Sequence, residues 1–128
     1  MTVEQSAEQN IGSAQSAYAA FSWGDATAAI DNLADNIEWV VPGNSAVSGT
    51  YHGKEEVGAF FVKLMEKSFT TVPEHSLGDE ERVMVLTRVT AAGESSDEVD
   101  IFTYRDGKVV KAQSVVDTLF FQRIFGTK

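Results

Sequence analysis

Three features of the sequence predict an α+β fold with a mostly antiparallel sheet. Helical periodicity is confined to the first half, short alternating runs fill the second, and an Asp-Gly pair joins the last two runs. A chain of 128 residues suits one domain over 1–128, large enough to bury a core.

The elements follow in order. Between Glu4 and Trp23, Ile11, Ala14, Tyr18 and Phe21 recur at spacings of three and four, and Gly24 stops the helix. Asp25 is a natural N-cap for a short second helix carrying Ala29, Ile30 and Leu33. Asn36 to Val41 alternates as a strand with Ile37, Trp39 and Val41 on one side, ended by Pro42-Gly43. A loop of small and polar residues is expected from there to Gly53. The third helix has an apolar stripe of Val57, Phe60, Phe61, Leu64 and Met65, with Lys54, Glu55, Lys63, Glu66 and Lys67 on the remaining surface. Strand-like segments follow near 69–72, 82–92, 99–104 and 109–116, with turns at Gly78-Asp79, Gly93-Glu94 and Asp106-Gly107. A short apolar segment, 119–125, closes the chain.

Composition excludes several classes of function. A net charge of −9 argues against nucleic acid or an anionic membrane as partner, because phosphate binding needs a basic footprint. Without cysteine there is no disulfide, thiol nucleophile or cysteine metal site, and His52 and His75 offer no histidine pair at helical spacing. Neither a nucleophile elbow nor a glycine-rich phosphate loop is present. The first five residues lack the pattern of a signal peptide, and no apolar run reaches spanning length, so a soluble, cytoplasmic protein is expected.

Chemistry is suggested by two acids among apolar residues, Asp100 in Val99–Tyr104 and Asp117 after Ser114–Val116. A buried carboxylate is costly unless it is paired, protonated or used. If Asp106-Gly107 is a two-residue hairpin loop, Arg105 pairs with Lys108 and Asp100 with Gln113. Asp100, Phe102, Tyr104, Lys111, Gln113, Val115 and Asp117 then share one face. The opposite face (Val99, Ile101, Thr103, Val110, Ala112, Ser114, Val116) stays apolar enough to predict a homodimer through it.

The order of elements and a set of short motifs resemble the SnoaL-like branch of the nuclear transport factor 2-like superfamily. The carriers are Trp23-Gly24-Asp25, Glu38–Gly43, Ser48–Val57, Tyr104–Val109 and Val116-Asp117-Thr118, so the resemblance runs from about Ser13 to Gly126. It implies a cone: a curved, mostly antiparallel sheet wrapped around three helices from the N-terminal half, with an apolar pocket at one end. In the ketosteroid isomerases of this superfamily a carboxylate shuttles the proton beside a tyrosine and a protonated aspartic acid. Asp100 fits the place of the hydrogen-bonding acid, and Tyr18 lies one position from the tyrosine. The base's place before the proline holds Val41, so that isomerisation in its usual form is not expected. Among SnoaL-type cyclases an acid near the end of the last long strand is the acid/base, which here is Asp117.

The candidate site is therefore Asp117 and Asp100 as catalytic acids, with Tyr18, Trp39, Val41, Phe60, Phe102, Gln113 and Val115 lining a pocket for a small apolar molecule. The expected activity is cofactor-independent proton transfer, of isomerase or cyclase type, on an apolar carbonyl compound. The alternative is a non-catalytic ligand-binding or accessory dimeric domain. Asp117 also reads as an N-cap for the amide of Leu119 or Phe120, Asp100 as a partner of Lys111, and the aromatic residues as core. No metal or other cofactor is implied.

Overall fold

The computed structural model describes residues 6–128. Four helices, α1 (Ala7–Ser22), α2 (Ala26–Ala29), α3 (Gly53–Glu66) and α4 (Thr118–Phe125), accompany six strands. The strands are β1 (Leu33–Val41), β2 (Gly49–His52), β3 (Thr70–Gly78), β4 (Arg82–Ala91), β5 (Glu94–Arg105) and β6 (Lys108–Val115). They form one sheet in the order β2-β1-β6-β5-β4-β3, antiparallel except where β1 runs parallel to β6. The expected α+β architecture, a curved mostly antiparallel sheet with helices, is the one observed. The expected helix start at Glu4 lies outside the described residues.

Local chemistry sets the element ends. Ser6 and Gln9 form a reciprocal capping box at the start of α1, and Asp25 accepts from the amide of Ala28 to begin α2. The buried face of α1 is Asn10, Ala14, Tyr18 and Phe21, and that of α3 is Val57, Phe60, Phe61 and Leu64. Both Ala92-Gly93 and Asp106-Gly107 have positive φ at each residue, the geometry that suits two-residue hairpins to strand twist.

Several strands differ from expectation: β1 begins at Leu33, which was expected on the second helix, and β3 runs on past Val72 to Gly78. The segment read as loop before Gly53 contains β2, whose four residues pair along β1 from Val41↔Gly49 to Glu38↔His52. β5 begins at Glu94, five residues earlier than its apolar part indicates, because the polar stretch 94–98 pairs fully with β4.

The largest correction concerns register. Arg105 does pair with Lys108 and Tyr104 with Val109, but Thr103 pairs with Lys111, leaving Val110 as an extra residue on β6. Beyond this bulge Asp100 faces Ser114 and Phe102 faces Ala112. A shift of one residue exchanges the faces of a strand. Ala112 and Ser114 therefore point into the core, while Lys111, Gln113 and Val115 are exposed on the outer face. The outer apolar face predicted for dimerisation keeps Val99, Ile101 and Thr103 but loses Ala112 and Ser114.

Candidate functional site

Between the helices and the concave side of the sheet lies a cavity of about 80 Å³, several times the ~10–15 Å³ that one buried water needs. Its wall is predominantly apolar and aromatic. Trp39 of β1 lines it, edge-on to Phe61 (ring centroids 5.2 Å apart) and to Phe102 (5.7 Å). Phe60 lies 6.3 Å from Trp39, and Tyr18 meets Phe102 edge-to-face at 6.2 Å. Alternation along β1 and β5 turns Trp39 and Phe102 to this side, and Phe60 and Phe61 reach it from the buried face of α3.

Two acids enter this wall from β5. Glu98 and Asp100 are two residues apart, so both face inward, and they are only 8% and 4% exposed. The Tyr18 hydroxyl donates to Asp100 Oδ2 at 2.5 Å. Behind the pair, Trp39 Nε1 donates to Ser114 Oγ at 3.0 Å, leaving the Ser114 hydroxyl proton free to turn toward Asp100. No N–H or O–H donor of the fold reaches Glu98 Oε1 or Asp100 Oδ1 among the described residues.

Electrostatics divides the two acids. Burial pushes the Glu98 carboxyl well above its ordinary range, and the neighbouring Asp100 charge and hydrogen bond push it further. Burial also raises Asp100, but hydrogen bonds from Glu98, Tyr18 and Ser114 draw it back down. Tyr18 is raised well above its usual value, first by burial and then by the Asp100 charge, so it remains a donor. Glu98 thus keeps the proton and Asp100 is the first to give one up. A neutral acid and a carboxylate side by side can deliver one proton and accept another.

The sequence-predicted residues divide accordingly. Asp100, Tyr18, Trp39, Phe60 and Phe102 meet in the cavity wall. Val41 is buried but lies outside that wall. Gln113 and Val115 are exposed on the outer face because of the bulge. Asp117 is also exposed and accepts from the amides of Leu119 and Phe120, each at 3.0 Å, as the N-cap of α4. Lys111 is on the outer face and cannot neutralise Asp100. Glu98 was missed. Its signal is its place two residues before Asp100, which puts both acids on one face of a strand whatever the hairpin register. Among the described residues no three His, Cys, Asp or Glu side chains form a group that could hold a metal ion. None of those residues forms a helix long and apolar enough to cross a membrane.

Comparison with known proteins agrees with this fold. A family model for the SnoaL-like domain matches residues 14–112. No curated protein matches the sequence. Among solved structures, Bal32a from a soil-derived mobile gene cassette is 26% identical, with a TM-score of 0.84 over 93% of this chain and 98% of its own. An NTF2-like protein of unknown function from Burkholderia pseudomallei is 27% identical, with a TM-score of 0.80 over 91% and 97% of the two chains. TerC, co-crystallised with polyporic acid, shares the fold at 23% identity and a TM-score of 0.80, over 93% of this chain and 99% of its own.

Proposed function

The chain belongs to the SnoaL-like domain family, and from that premise we propose that its cavity takes up a small, largely apolar molecule and exchanges a proton with it. The observation that carries the reading is the pair Glu98 and Asp100, buried in an aromatic wall with Tyr18 bonded to one of them. A pair of buried acids in the wall of a cavity is suited to chemistry at that cavity.

For an apolar carbonyl compound the roles follow from the two environments. Asp100 removes a proton from the carbon next to the carbonyl, while Glu98 donates its proton to the carbonyl oxygen. Tyr18 and Ser114 hold Asp100 in place and stabilise its ionised form between turnovers. Tautomerisation, ring closure or double-bond migration would use the same step, and none needs a cofactor. The water-poor wall keeps the two acids apart in proton affinity, which makes the exchange directional. Asp117 takes no part in this scheme. The outer face of the sheet, with Met84 and Val115 exposed and Leu86, Val99 and Ile101 partly so, is proposed as a homodimer contact.

The test is deuterium exchange at the α-carbon of a panel of apolar cyclic ketones in D2O, followed by proton NMR. The native protein should accelerate exchange of at least one member, and Glu98→Gln and Asp100→Asn should each lower that rate by about 100-fold or more. Binding without exchange would replace the catalytic reading by that of a ligand-binding domain.

A further inference from the structure

Among the described residues the cavity wall carries acidic groups and no lysine, arginine or histidine to balance them. Both ion pairs found among the described residues, Arg88–Asp97 and Arg123–Glu94, lie at the surface. A proton on Glu98 neutralises half of the pair, and the Tyr18 hydroxyl donates to Asp100 Oδ2 without adding charge. With Glu98 protonated and Asp100 ionised, the pair carries one negative charge in an aromatic wall that, among the described residues, holds no cation to balance it. A buried charge of that kind is stabilised by pairing.

The surrounding rings have the same preference. Their faces carry partial negative charge, so they attract cations and repel anions. Trp39, the best of the side chains for this purpose, is packed among Phe60, Phe61 and Phe102, with Tyr18 beside Phe102. Asp100, a residue of the same wall, has one carboxylate oxygen, Oδ1, without a hydrogen-bond partner among the described residues.

Building on the pocket reading above, we propose that the molecule completing this site is a small apolar amine, bound as its ammonium. The ammonium donates to Asp100 while its hydrocarbon body fills the ring-lined space. For the proton-transfer scheme this narrows the substrate to an apolar carbonyl compound that also carries a basic amine. An acidic molecule of the same shape is rejected by the pair of acids and by the ring faces alike.

Three probes of nearly equal size separate charge from shape: benzylamine, benzyl alcohol and benzoate, titrated into the native protein at pH 7 and 0.15 M salt. Affinity is measured by calorimetry, and the place of binding by saturable NMR shifts at the Trp39 indole and the Phe102 ring. Benzylamine is expected to bind at least 10-fold more tightly than benzyl alcohol, and benzoate not to bind. Asp100→Asn should abolish the preference for benzylamine over benzyl alcohol. The comparison on the native protein decides the matter even if that variant does not fold. Equal or tighter binding of benzyl alcohol at Trp39 and Phe102 overturns the amine inference and leaves the pocket reading standing. If none of the probes shifts those rings, both the amine inference and the pocket reading fail. Unsaturable shifts from benzylamine spread over the acidic surface would likewise overturn the inference.

Discussion

Removing one oxygen tests the central feature of the site. Tyr18→Phe deletes the hydroxyl that donates to Asp100 at 2.5 Å and leaves the ring beside Phe102 in place. The lost bond involves a carboxylate that is 4% exposed, so water cannot replace the donor. Deleting a donor to a buried charged group costs about 2–3 kcal/mol, against about 1 kcal/mol for a neutral bond. Tyr104→Phe is the internal control, because its buried hydroxyl donates to a neutral acceptor, the Asn10 carbonyl, at 3.1 Å. At roughly 4 °C per kcal/mol for a chain of this size, Tyr18→Phe should lower Tm by about 8–12 °C and Tyr104→Phe by about 4 °C. The bond favours the ionised form of Asp100, so its loss raises the Asp100 pKa beyond the elevation that burial already gives. The deficit is therefore complete where Asp100 is ionised and shrinks as pH falls through its folded pKa. Thermal melts of both variants between pH 4 and 8 measure this. Equal losses in the two variants, or a Tyr18→Phe deficit that does not change with pH, would refute an ionised Asp100 held by Tyr18.

Glu98 gives the opposite pH dependence. Its folded pKa lies well above the ordinary 4.5, so its favourable contribution is complete below that value and is lost as pH rises through the folded pKa. Glu98→Gln should flatten that decline and melt higher than the native protein on the alkaline side; parallel curves would show that Glu98 is not the proton-bearing member. Asp117→Ala removes the acceptor for two amides at the start of α4 and should cost about 1 kcal/mol by urea unfolding, without moving the NMR signals of Tyr18 or Phe102. Met84→Asp places a charge on the outer sheet face, where Met84 pairs with Ile101, and should convert the proposed dimer to monomers in sedimentation. A native protein that already sediments as a monomer would remove that proposal.

What the sequence reveals depends on the range of the interactions involved. Helix α3 and strand β1 are legible because each carries its own period: Val57, Phe60, Phe61 and Leu64 on one helix face, Ile37, Trp39 and Val41 on one strand face. The hairpin turn is legible because Asp106-Gly107 is a local signal, and its first pair, Arg105↔Lys108, forms as that signal implies. The bulge at Val110 is not, since neither Val109 nor Val110 differs from an ordinary strand residue. Its cause lies in packing: Phe102 and Asp100 have small partners, Ala112 and Ser114, where an unbroken ladder would set Lys111 and Gln113 against them. Burying that lysine and glutamine without partners would cost several kcal/mol, more than the single ladder irregularity that turns them outward. The same reasoning explains the missed acid. Glu98 sits in the polar stretch 94–98, which by composition belongs to a turn, and only pairing with β4 makes it a strand. Its inward direction then follows from that of Asp100, because two residues on a strand return to the same face. A pair of acids at that spacing within one strand is a stronger local signal than two acids related across a hairpin, since it survives any error of register.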